Sequence, residues 1–292
     1  MTQLAVDIGG SKIRLTVFDA FVAQHSESVP TALLRRGTPK FADDLAGLLH
    51  SYRVTCHDQL GLTLNGILRD GHVEYSSLMG GRVDFPLQRF LIEQFGVPTS
   101  VDDDLHAQAT AESRFGLGRD YETIAILNIG TGIGAVLADR QQVLRGQCAA
   151  GLISEQEVWI DAFHELRSLD RTVCGRGLKG MYAKLTGETI EAVTVFQRWH
   201  ENDVAAKQVV EIFAHTLGKT LQMISRFYHP EAIAILGSIA QSWPVYEYAS
   251  LQAYHDGLES VFRAKTVQCS ELEYAAELGV LCREAASLED IP

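Results

Sequence analysis

Much that would direct a reading is missing from this 292-residue chain. No run approaches the ~18 apolar residues that a membrane helix needs. The opening MTQLAVDIGG has no basic stretch and passes straight into a strand, unlike a signal peptide. Five cysteines (Cys56, Cys148, Cys174, Cys269 and Cys282) are scattered, odd in number and without a CxxC pair. That argues against a disulfide framework or a cysteine-rich zinc site, and reduced thiols in a cytoplasmic protein are the simple expectation. Positive charge is in short supply: 25 Lys and Arg against 37 Asp and Glu leave a net charge of −12. Nucleic acid and anionic membranes are therefore poor partners. A small anionic ligand stays possible, because local N–H groups and a metal would hold it. The GxxxxGK[ST] phosphate loop is absent, and no low-complexity linker interrupts the chain.

What remains is ordinary for a globular protein, with 46% hydrophobic and 21% charged residues. The length suits two domains and a sizeable core. An internal echo supports the division. Residues 4–19 read LAVDIGGSKIRLTVFD, and residues 124–139 read IAILNIGTGIGAVLAD. Each is an apolar strand, an Asp or Asn followed by Ile-Gly, a Gly-rich turn and a second apolar strand. Two such hairpins about 120 residues apart imply two related domains. Elsewhere strands are expected at Gln59–Leu64, 97–101 and Ala232–Leu236. Helices are expected at 85–94, Asp104–Phe115 and 203–228, the last with Val209, Ile212, Phe213, Leu217, Leu221 and Ile224 on one face and Pro230 as its stop. The alternation predicts an α/β fold, with the domain change near residues 116–120 and domains at 1–117 and 118–292.

Three segments carry polar chemistry. The turn Asp7-Ile8-Gly9-Gly10-Ser11-Lys12 can be a plain tight hairpin or a site where backbone N–H groups meet phosphate, with Asp7 holding a Mg²⁺-bound water. Gly130-Thr131-Gly132 is its counterpart, and a nucleotide held between two halves needs a phosphate loop from each. Asp102-Asp103-Asp104 ends a strand and opens a helix. One of the three can cap the helix. Three mutually repelling carboxylates exceed what capping needs, and one is a candidate general base for an attacking hydroxyl. Gly237-Ser238, after an apolar strand, is either a simple turn or a close approach to adenosine.

These segments together resemble the ROK family of sugar kinases, whose fold is the two-domain actin/hexokinase-like (ribonuclease H-like) one. DIGGSKIR resembles the first phosphate motif, DxGGT. Residues 103–112, DDLHAQATAE, resemble NDANAAALGE, which makes Asp104 the catalytic base and puts Asp103 where a sugar-binding Asn is usual. Residues 128–134 resemble the second phosphate motif, and residues 232–238 the adenosine motif, with Ser238 in place of a Gly. Residues 65–87, NGILRDGHVEYSSLMGGRVDFPL, resemble N-acetylmannosamine kinases, and Ser168–Arg171 with Cys174–Leu178 resembles the SAER…SGPGL stretch of glucokinases.

The resemblance implies a cytoplasmic homodimer that transfers the γ-phosphoryl of ATP, with Mg²⁺, to a hydroxyl on carbon six of a hexose or N-acetylhexosamine, N-acetylmannosamine or glucose first. It implies ATP contacts at Asp7, Gly9, Gly10, Ser11, Lys12, Gly130, Thr131, Gly132, Gly237 and Ser238. Sugar contacts would come from Asn65, Asp103, Glu155 and Asp170. The chain departs from the family at GAGEIGH, where Leu152 replaces the sugar-binding Glu and Glu155 the His. The CxCGxxGC loop is shortened and lacks its cysteines, so no zinc is expected. Asp170 keeps a family carboxylate one methylene shorter. Each lost partner of a buried hydroxyl costs about 1–3 kcal/mol. That erosion leaves a non-catalytic sugar or nucleotide sensor as the alternative. The helix-turn-helix of the family's repressors has no place ahead of the first strand.

Overall fold

The computed structural model describes residues 1–290 and divides into two units. The first holds Met1–Phe115, Arg145–Ala150 and the segment from Leu272, and the second holds Gly116–Leu144 and Gly151–Glu271.

The first unit is built on β1 (Thr2–Ile8), β2 (Lys12–Asp19) and β3 (Val22–Pro30). Leu4, Ala5, Val6 and Ile8 are all buried, because β1 is central and has a neighbour on either side. Helix α1 (Lys40–Ser51) buries Phe41, Leu45 and Leu49, four residues apart on one face. Then come β4 (Gln59–Leu64), the small meander β5 (Ile67–Arg69), β6 (His72–Ser76) and β7 (Gly81–Phe85), helix α2 (Leu87–Phe95), β8 (Thr99–Asp102) and helix α3 (Asp104–Phe115). The main sheet has the order β3-β2-β1-β4-β8. The first three strands are antiparallel, and β4 and β8 run parallel to β1.

The second unit repeats this plan. β9 (Thr123–Ile129), β10 (Ile133–Asp139) and β11 (Gln142–Val143) form the meander. After the hairpin β12 (Glu157–Ile160) and β13 (Glu165–Ser168) come α4 (Gly175–Thr186), α5 (Ala192–His200), α6 (Val204–Tyr228), β14 (Ala232–Leu236), α7 (Trp243–Asp256) and β15 (Thr266–Cys269). The sheet order β11-β10-β9-β14-β15 and the strand senses match the first sheet. Even the turns correspond. Ala20 and Phe21 have φ of 47° and 66°, and Arg140 and Gln141 have 46° and 66°. Two consecutive left-handed residues make the type I′ turn that suits a twisted hairpin. Helix α6 starts where Asp203 accepts a hydrogen bond from the Ala206 N–H at 2.7 Å. Its face of Val209, Phe213, Leu217, Leu221 and Ile224 fills the core beside Tyr246 and Ile235.

The chain then returns to the first unit as α8 (Ala275–Leu281). A domain running unbroken from 118 to 292 is therefore not what forms: residues 145–150 and the segment from Leu272 belong with the first unit. Helix α8 covers α3 and β4 there. A side chain at Gly279 would strike the Ala107 carbonyl, so only glycine lets the two helices come this close. Ser100 Oγ and Gln59 Nε2 donate to the Val280 and Leu281 carbonyls at 2.8 and 3.3 Å, and so satisfy the end of α8. Among the described residues no helix is long and apolar enough to cross a membrane.

Candidate active site

Strands β1, β4 and β8 end side by side in the first unit. Asp7 is in register with Thr63, and Thr63 with Asp102. Residues that follow these ends, Gly9 to Lys12, Asn65 and Asp103-Asp104, therefore leave the sheet at its carboxyl edge, where α/β sheets bind ligands. The first turn closes when the Gly9 N–H donates to the Lys12 carbonyl at 3.0 Å, and Thr31 Oγ1 donates to the Gly9 carbonyl at 2.8 Å. Gly10, Ser11 and Lys12 stay exposed, as does Asn65. Asp7 Oδ1 accepts from Thr63 Oγ1 at 2.8 Å, while Oδ2 makes no hydrogen bond among the described residues. Burial pushes the Asp7 carboxyl above the usual range, with Thr63, Arg14 and Lys12 opposing. A half-buried carboxylate with one free oxygen suits Mg²⁺, which takes one or two carboxylates and keeps its waters. Among the described residues no cluster of three or more His, Cys, Asp or Glu stands ready to hold a metal.

The three consecutive aspartates have three different situations. Asp102 is 2% exposed and is gripped by Arg145 at 2.8 and 2.6 Å and by Arg283 at 2.9 Å. Asp103 caps α3 by accepting the His106 N–H at 2.9 Å, and its oxygens also lie 2.9 and 2.7 Å from His106 Nδ1. A sugar hydroxyl at Asp103 would have to share those oxygens with His106. Among the described residues, Asp104 alone of the three makes no hydrogen bond or ion pair with another side chain. Burial, then the charges of Asp7 and Asp103, raise its carboxyl to about 7, against the pull of the Asp104 and Leu105 N–H groups. A carboxyl poised near neutrality and not tied up by another side chain is equipped to accept a proton.

The second unit presents the other turn. The Gly130 N–H donates to the Gly132 carbonyl, and the Gly175 N–H to the Gly130 carbonyl, both at 2.9 Å. The start of α4 is thereby held against the turn. Arg176 Nε donates to the Thr131 carbonyl at 3.1 Å, and its Nη2 lies 2.7 Å from Asp170 Oδ1. A Cβ on Gly132 would sit 2.9 Å from that Asp170 oxygen. Gly237, at φ 96°, packs so closely that a Cβ would meet Asn128 Oδ1 and the Ile129 carbonyl. Ser238 is exposed beyond it, and Asn128 Oδ1 is buried without a hydrogen-bond partner among the described residues. Substituting Gly237→Ala should lower Tm, since strain and overpacking together cost roughly 2–4 kcal/mol. Thermal unfolding of the variant checks this.

Asp170 and Glu155 line a cleft of about 590 Å³ with Ser168, Arg167, Arg171 and Arg176. Glu155 is exposed, whereas Asp170 is committed to Arg176, and burial raises its carboxyl against the pull of that guanidinium. Leu152 is 55% exposed. Sequence reasoning missed Arg145, Arg283 and His106 as partners of the aspartates. It also missed Arg176, although that residue stands where SGPGL has its Pro.

With this geometry in view, the sequence matches the ROK family over residues 3–281. The chain belongs to the ROK family. It is 27% identical over 249 residues to the N-acetylmannosamine kinase of Shigella boydii serotype 18, covering 82% of this chain and 84% of that one. The beta-glucoside kinase of Listeria monocytogenes is 26% identical over 255 residues, 82% of this chain and 83% of its own. A ROK family glucokinase from Streptomyces griseus, solved in complex with glucose and AMPPNP, superposes with a TM-score of 0.80 at 20% identity over 96% of this chain and 98% of that one. The two repeated α/β units are thus the actin- and hexokinase-like fold of ROK sugar kinases.

Proposed function

We propose that this ROK protein is an ATP-dependent kinase of a hexose or N-acetylhexosamine, a phosphotransferase with an alcohol acceptor at carbon six. The observation that carries the reading is Asp104: at the start of α3, without a side-chain partner among the described residues, and with its carboxyl raised to about 7. Asp104 accepts the hydroxyl proton as the oxygen attacks the γ-phosphorus. Gly9 to Lys12 and Gly130 to Gly132 offer N–H groups to the phosphates, and Gly237-Ser238 serves the adenosine. Asp7 would hold Mg²⁺ through a water, and the ion supplies positive charge against that developing on the phosphoryl oxygens. Glu155 and Asn65, both exposed and without side-chain hydrogen bonds among the described residues, are the foremost sugar contacts. Asp103 and Asp170 contribute only by sharing oxygens with His106 and Arg176.

Glucose and N-acetylmannosamine head the substrates. The relatives named as kinases of N-acetylmannosamine and of beta-glucosides support a sugar acceptor. Coupled ADP release with Mg-ATP over a panel of hexoses and N-acetylhexosamines tests this. Turnover confined to one or a few of these sugars is expected. No turnover with any of them, alongside sugar binding in calorimetry, would instead make the protein a sensor.

A further inference from the structure

The last helix carries a carboxylate that none of the motifs accounts for. Glu277 sits within AAELGVL, a stretch otherwise apolar, and is 0% exposed. Such an anion is costly unless it is paired. Its partner is Arg14, which grips it with two donors: Nε to Oε1, and Nη2 to Oε2 at 2.7 Å. The guanidinium also lies over the Tyr274 ring, 5.3 Å from its centre.

Arg14 has a second claim on it. On β2 it stands directly opposite Asp7 on β1, so the two side chains share one face of the sheet. Opposite charges facing one another across antiparallel strands ordinarily attract into a pair. Here they make only a long ion pair, with Arg14 Nη2 4.0 Å from Asp7 Oδ2 and no hydrogen bond between them. Lys12, the other cation acting on Asp7, is exposed and makes no ion pair with it. Asp7 therefore keeps one oxygen without a hydrogen bond because a buried glutamate from the far end of the chain occupies its natural partner.

We infer that Glu277 is a positioning residue: by holding Arg14 it keeps the Arg14–Asp7 ion pair long and without a hydrogen bond, and so leaves Asp7 Oδ2 available to a hydrated divalent cation. The inference rests on the reading that Asp7 takes that cation together with nucleotide phosphates. Without the Glu277 charge, Arg14 has one nearby carboxylate left to satisfy it. A cation would then have to displace the guanidinium first.

The test is metal binding, not turnover. Mn²⁺ binding in the presence of ADP, followed by electron paramagnetic resonance, should weaken roughly tenfold in Glu277→Gln, equivalent to about 1.4 kcal/mol. The affinity for ADP without metal should stay within about twofold. Adding Arg14→Met to the same chain removes the competitor and should restore Mn²⁺ affinity to within about threefold of the wild type. A purely structural role gives no such recovery, so a double variant that binds no better than Glu277→Gln overturns the inference. Unchanged Mn²⁺ binding in Glu277→Gln overturns it as well. Wild-type protein that takes up no Mn²⁺ with ADP overturns the reading of Asp7 itself, and this inference with it. Should Glu277→Gln not fold, Glu277→Asp, charged but one methylene short, is read in the same way with an intermediate weakening expected.

Discussion

Asp104→Asn is expected to lower kcat by a factor of at least ~10² while leaving the KM for Mg-ATP within about threefold. The reason lies in how the three aspartates are engaged. Asp102 is paired with both Arg145 and Arg283, Asp103 is tied to His106 and the helix cap, and Asp104 alone of the three has no side-chain partner among the described residues. In the wild type, kcat/KM for the sugar should fall as pH drops below about 7, because the protonated carboxyl cannot act as base. The same substitution should affect stability in the opposite direction. Asp104 binds its proton more tightly in the folded state than in the unfolded one. Its contribution to stability is therefore lost as pH rises from the unfolded value near 4 through about 7. Asp104→Asn, neutral at every pH, should raise Tm by several degrees at pH 8, and the gain should vanish by about pH 4. Turnover that survives the substitution would remove Asp104 from its proposed role. An unchanged Tm at pH 8 would remove the electrostatic strain inferred for it.

Gly279→Val should be strongly destabilising. Its side chain would enter the space of the Ala107 carbonyl, on the helix whose first residue is Asp104. Backbone blocks the way, so a rotamer change cannot relieve the overlap, and the helices must separate. A cost of at least about 3 kcal/mol is expected, which corresponds to roughly 6–12 °C in Tm. Calorimetry checks it, and a drop of less than about 2 °C would show that α8 yields without penalty. Gly279→Ala, smaller by two methyl groups, should fall between the two proteins.

The hairpin echo was legible because it is local. Residues 4–19 and 124–139 specify strand, turn and strand within sixteen positions, and both sheets place them identically. Gln59–Leu64, Asp104–Phe115 and Ala232–Leu236 also form with the expected bounds, each an apolar or capped run that needs no distant partner for its recognition. The helix expected from residue 85 starts instead at Leu87, since Phe85 is still paired with Val73 and Pro86 precedes the first turn. The strand expected over 97–101 is Thr99–Asp102, because Pro98 has no N–H for the ladder. What stayed hidden depends on contacts between remote residues. Nothing near Asp102 announces Arg283, and nothing near Arg14 announces Glu277, 263 positions away. The one local hint was a charged residue inside AAELGVL. For the candidate site, the positions came from the resemblance of these motifs to those of the ROK family. Which aspartate was left unpartnered could come only from the fold.

The return of the chain to the first unit in α8 sets an order of events during synthesis. By Glu271 every residue of the second unit has been made, yet the first still lacks the helix that covers α3 and supplies Glu277. During synthesis the later-made unit therefore has all its residues first, while the earlier-made one waits for the segment from Leu272. Until then Arg14 and Asp7 face each other without Glu277, so a nascent chain held at Glu271 should have an incomplete carboxyl edge in its first sheet even though its motif residues have all been translated.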